Sequence, residues 1–252
     1  RYSDAGRYVT RVMELLGGVA PDSASMQPAV REVLTRASQS PYGHPARALV
    51  SFARNKQGDW PSQLGFSNLD YPAWVVHMLC DRGLLRAVLK STCPRCGNTF
   101  VTDPRDLDHQ LTCHLCGESR PLALHLSALN PQWVLTLAKG LEGSRIAETH
   151  PVMASLSVLA GMHYIQDHGQ HFLCGVRLEG KGIDCEVDVA LAYRERGIPI
   201  YIVGECKSYK ESLTKVDVDN LLAIQTRFKE VGLECYILLA TMRPRLERDE
   251  LA

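Results

Sequence analysis

Two groups of residues in this chain have types and spacings suited to chemistry. The first is acidic. The stretch IDCEVDVALAY, residues 183–193, alternates Ile183, Cys185, Val187, Val189 and Leu191 with Asp184, Glu186 and Asp188. Strict period-2 alternation predicts a strand with one buried face and three carboxylates on the other. Seventeen residues beyond Asp188, the apolar run IYIVG ends in Glu205, Cys206 and Lys207. Two converging carboxylates can hold a hard cation such as Mg²⁺, which acidifies a water and neutralises charge developing on a phosphate. A lysine beside them can orient or deprotonate that water, or stabilise the transition state. The plain alternative is a surface ion pair between Glu205 and Lys207, worth less than about 1 kcal/mol. Asp184 and Glu186 read as a solvated face rather than as ligands, and Lys210 and Lys215 as a solvated loop.

The second group is sulfur. STCPRCGNTFVTDPRDLDHQLTCHLCGES carries Cys93-x2-Cys96, sixteen intervening residues, then Cys113-x2-Cys116. Each pair presents two thiolates from one tight turn, and two such turns complete a closed tetrahedral Zn²⁺ site with structural character. Gly97 and Gly117 each follow the second cysteine, where the turn needs a permissive backbone. His109 and His114 are the nearby substitutes for a cysteine ligand. The segment resembles a zinc ribbon, a module that supports nucleic-acid or protein contacts. The other five cysteines sit singly in apolar surroundings, as reduced buried thiols do. An odd total of nine argues against a disulfide framework and for a reducing, cytoplasmic setting.

The elements that must position these groups follow from periodicity and punctuation. Residues 1–90 read mainly as helix, with runs ending at Gly17-Gly18 and spanning roughly 26–39, 44–55 and 71–83. RAVLKST then reads as a strand, so that a winged-helix-like domain is one expectation for 1–90. This segment holds 11 Lys/Arg against 7 acids, an excess compatible with phosphate contact. Residues 91–121 form the ribbon, and 122–144 a linker or helix. From 145 to 252 the expected order is helix, strand, strand, strand, helix, strand. HPVMASLSVLAGMHYIQDHG reads as the first helix, with Pro151 in its first turn and His163 as a core histidine on its apolar stripe.

Asp188 followed by Glu205-Cys206-Lys207 on the next strand resembles the signature of the PD-(D/E)xK nucleases. The local forms EVDV and GECKSY are similar to those of Mrr-like and defence-associated members of the restriction-endonuclease-like branch. The likeness spans roughly residues 145–243. It implies an α/β fold, a mixed sheet flanked by helices, and Mg²⁺ or Mn²⁺ held by Asp188, Glu205 and the Cys206 backbone carbonyl. Lys207 takes the place of the catalytic lysine, and Gln225 that of a glutamine found in some relatives. Val187 stands where the signature has proline. The family's first-helix glutamate has no clear counterpart, Glu148 lying just before the expected helix.

Net charge is zero, so any nucleic-acid surface must be local. No run approaches the roughly 18 apolar residues of a membrane helix, and RYSDAGRYVTRV does not read as a signal peptide. The chain reads as a piece of a longer protein. The expectation is a metal-dependent endonuclease acting on DNA, with self-association and a role in restriction or antiphage defence implied by resemblance alone. The alternatives are a nucleic-acid-binding module with an inactive nuclease fold, and a zinc-ribbon interaction scaffold.

Overall fold

In a computed structural model, residues 3–18, 24, 27–123, 132–141, 145–161, 171–180, 183–195, 197–208, 211–243 and 245–246 are described. The protein is mixed α/β. It divides into two compact units: residues 1–26 with 145–252, and residues 27–144. This division differs from the expected boundary near residue 90: residues 1–26 belong with the C-terminal segment, and residues 27–144 form one unit because the strand at 85–92 pairs with strands beyond residue 90.

The unit of residues 27–144 contains α2 (Pro28–Ser38), α3 (Ala46–Asn55), the short α4 (Trp60–Gln63) and α5 (Asp70–Asp81). Three expected helical runs are therefore present. Val30, Val33, Leu34, Leu49, Tyr71, Val75 and Leu79 recur at helical spacing and are buried together. The Tyr71 hydroxyl donates to Gln27 Oε1 at 2.9 Å, so the buried phenol keeps a partner. The expected strand is β1 (Leu85–Thr92), which pairs antiparallel with β2 (Thr99–Thr102) and with β5 (Gln132–Leu137). β3 (Gln110–Thr112) and β4 (Ser119–Pro121) form a separate hairpin. The β5 strand lies in the stretch expected to be linker or helix. Its Val134 and Leu137 are buried against the β1 sheet, and that burial outweighs local ambiguity.

The other unit starts with α1 (Asp4–Leu15), capped by Ser3, whose hydroxyl accepts the Gly6 N–H. From residue 145 the order is α6 (Arg145–Gly161), β6 (His171–Gly180), β7 (Ile183–Glu195), β8 (Ile198–Lys207), α7 (Lys215–Glu230) and β9 (Glu234–Thr241). This is the expected sequence of elements. The sheet order is β6-β7-β8-β9, antiparallel except for the parallel β8–β9 pair, whose connection is α7. Leu221 and Ile224 of α7 pack on Val176, Val187, Val203 and Cys235. Truncating either would cost about 2–5 kcal/mol. Pro151 is not in a first turn but inside α6, where it removes one N–H from the helical ladder.

Strict alternation in β7 does not hold. Ile183, Cys185 and Val187 join the cluster under α7, and so does Ala190, while Val189 and Leu191 are buried outside it. The phase changes around Asp188, and pairing with β8 begins only at Val189↔Gly204. Asp188 is therefore not a third member of a solvated carboxylate row: Asp184 and Glu186 are exposed, whereas Asp188 is largely covered.

Candidate functional site

The acid–lysine site forms where β7 and β8 part. Asp188 Oδ2 accepts the backbone N–H of Cys206 at 2.8 Å. Lys207 O, one residue on, accepts the Met242 N–H next to β9 at 3.1 Å. Backbone groups on a strand alternate sides, and the N–H and C=O of one residue face the same neighbour. The Cys206 carbonyl thus faces the Asp188 side, beyond the last β7–β8 pair.

Glu205 and Lys207 share a strand face, and Lys207 Nζ donates to Glu205 Oε1 at 2.6 Å. Their side chains are only 16% and 19% exposed, so the reading as a solvent-screened surface pair does not hold. A second acid, unforeseen from sequence, completes the arrangement. Asp217 Oδ1 lies 3.3 Å from Lys207 Nζ. Its Oδ2 accepts the Thr214 N–H and hydroxyl at 2.7 and 2.8 Å, the capping box that starts α7. The signal was present as Thr214-Lys215-Val216-Asp217, a helix-start pattern that says nothing of a lysine.

A cavity of about 210 Å³ opens onto this group. Asp188, Glu205, Cys206, Lys207 and Glu211 line it together with Gly175, and α1 supplies Ala5, Gly6, Tyr8 and Val9. The role of α1 was not foreseen, although a glycine inside a helical pattern can mark close backbone approach. Gly6 and Gly175 meet backbone to backbone: a Cβ on Gly6 would lie 2.1 Å from Cys174 O, and one on Gly175 2.5 Å from Gly6 Cα. Ser3 N–H donates to Gly175 O at 2.8 Å, seating the helix on β6.

Electrostatics follow from burial. Asp188 is pushed up to about 7, first by desolvation and then by the nearby Glu205 charge, against the Cys206 N–H that favours the anion. Glu205 is also raised by desolvation, with Lys207 opposing. Burial works to lower Lys207, but its hydrogen bond and charge contact with Glu205 hold it above its ordinary value. Two carboxylates raised by burial and crowding are a site that a cation would relieve. Asp188, Glu205 and the Cys206 carbonyl are all oxygen donors, the chemistry that Mg²⁺ and Mn²⁺ prefer.

Gln225 is not part of this group. Its Nε2 donates to Cys235 O at 2.8 Å, bridging α7 to the start of β9, and it lines a different hollow with Lys229 and Tyr236. Lys215 is exposed in the first turn of α7. His163 and Lys210, and the side chain of Glu148, lie outside the described residues.

The four cysteines converge as expected. Their sulfurs all lie within 4.8 Å of one another, with Cys93–Cys116 at 3.6 Å and Cys96–Cys113 at 3.7 Å. A tetrahedron with Zn–S bonds of about 2.3 Å has edges near 3.8 Å, so the group can hold a metal such as zinc. The two turns are copies of each other. Gly97 N–H donates to Cys93 O, and Gly117 N–H to Cys113 O, with φ of 72° and 70°. Neither His109 nor His114 belongs to this group.

Among the described residues no helix is long and apolar enough to cross a membrane. Comparison with protein-family models, with curated proteins and with solved structures found no match.

Proposed function

We propose that the protein is a divalent-cation-dependent nuclease of the PD-(D/E)xK kind that hydrolyses phosphodiester bonds, with DNA as the first substrate to test. One observation carries the reading. Asp188, Glu205 and Lys207, on two strands, line a single cavity with Asp188 desolvated and bonded to the Cys206 N–H. Asp188, Glu205 and the Cys206 carbonyl would hold Mg²⁺ or Mn²⁺, which when bound supplies positive charge at the scissile phosphate and acidifies water. Lys207, kept charged by its acids, lines the cavity, where it can orient an attacking water or stabilise the phosphorane-like transition state. Ala5, Gly6, Tyr8 and Val9 of α1 line the same cavity. The Cys93, Cys96, Cys113 and Cys116 group serves as a structural zinc centre, having no open coordination position. The unit carrying it is assigned to positioning nucleic acid.

The test is cleavage of plasmid, linear duplex, single-stranded DNA and RNA, each with Mg²⁺, Mn²⁺ or EDTA. Metal-dependent cleavage lost in both Asp188→Ala and Lys207→Ala supports the proposal. Binding without cleavage in any metal would replace it by a nucleic-acid-binding role.

A further inference from the structure

Lys207 and a cation held by Glu205 would share one carboxylate. Glu205 Oε1 is 2.6 Å from Lys207 Nζ, so a cation bound by Glu205 would sit close to that ammonium and be repelled by it. An ammonium displaced in a half-buried pocket needs another anion at once. Asp217 Oδ1 is already 3.3 Å away.

Asp217 is built to stay there. Its other oxygen is engaged by the Thr214 N–H and hydroxyl, and the helix it begins is anchored through Leu221 and Ile224. Each carboxylate oxygen thus has its own task, one closing the helix and one facing the lysine. Glu211, also at the cavity, is exposed and accepts the Ser208 N–H instead.

We propose that Asp217 is a positioning residue, which takes Lys207 from Glu205 when the Asp188–Glu205 pair binds a divalent cation; this rests on the metal-site reading above. Lys207 then swings by a short distance between two fixed acids and remains at the cavity. Without Asp217 the ammonium stays on Glu205 and opposes the metal.

A double-mutant cycle read by Mn²⁺ binding tests this on zinc-loaded protein, using electron paramagnetic resonance of free Mn²⁺. Asp217→Asn, which retains an oxygen for the helix cap, weakens Mn²⁺ binding about fivefold or more in the wild-type background, and less than about twofold in Lys207→Met. Asp217→Glu, a capping-box residue with the same charge, restores binding to within about twofold of wild type. Equal losses in both backgrounds would show a direct charge effect and overturn the proposal, as would an unaltered affinity in Asp217→Asn. Absence of Mn²⁺ binding by the wild-type protein would remove the metal-site reading and the proposal together.

Discussion

The Asp188 side chain holds the Cys206 backbone N–H at 2.8 Å across a gap where the β7–β8 ladder has already ended. A side chain here continues what the backbone pairing stops doing. The bond sets the spacing between the two strands at the site, and it does so with a carboxylate whose burial makes ionisation unfavourable.

That burial predicts a pH dependence. The folded protein keeps the Asp188 proton up to about pH 7, whereas an unfolded chain releases it near 3.9. Between those values the folded state binds more protons, so this group makes stability fall as pH rises from about 4 to about 7. Asp188→Asn removes the effect. In Mg²⁺-free buffer its melting temperature should gain on that of the wild type across this window and hold the gain above it. Added Mn²⁺ should narrow the gap by stabilising the wild type alone. A constant difference from pH 4 to 8 would contradict the assignment.

The contact of Gly6 with Gly175 predicts a strong steric effect. Alanine at position 6 must displace α1 from β6, since its Cβ meets backbone oxygens rather than a flexible side chain. Gly6→Ala should destabilise by about 2 kcal/mol or more, read by urea unfolding. The shift of α1 also deforms the cavity, so cleavage should fall even well below the melting temperature.

Gln225→Ala should leave cleavage within about threefold of wild type, while lowering stability by about 1 kcal/mol through loss of its bond to Cys235 O. Parallel measurement of cleavage rate and melting temperature separates the two effects. A hundredfold loss of rate with normal stability would return Gln225 to the site.

For the cysteines, Cys113 is lowered to about 6, first by the backbone N–H of Cys116 and further by that of Leu115 and by the Cys96 thiol. Zinc must displace the remaining protons, so affinity should decline as pH falls below neutrality. Cys113→Ser should reduce zinc to well under one per chain by mass spectrometry of the native protein, and lower the melting temperature of the unit that carries it.

How much of this was legible in the residues depends on range. The cysteines were plain, because each pair forms within one turn and the two turns are copies. The order of elements after residue 145 was also plain, since the apolar alternation around Cys185 and the punctuation between runs are local signals. What escaped was non-local. The desolvation of Asp188 depends on a phase change in β7 that the regular alternation conceals. Asp217 faces Lys207 only because α7 returns over the sheet. Gln225 sits one helical turn from Leu221 on the same helix, but its amide found a nearer carbonyl. The packing of α1 on β6 joins residues 6 and 175, and a lone glycine in a helical run gives little warning of it.

β1 is shared structure. Over Leu85–Lys90 it pairs with β5, and over Leu89–Thr92 with β2 of the cysteine segment. Arg86 reaches from the same strand to Asp103, Nη1 to Oδ2, at 2.9 Å. The Cys93–Cys96 turn is therefore the end of a continuous beam that runs back into the unit of residues 27–144. From that turn the same strand runs back to Leu85, which is buried. Cutting the beam at residue 91 would not liberate a module; it would take the outer strand from one part and the root from the other.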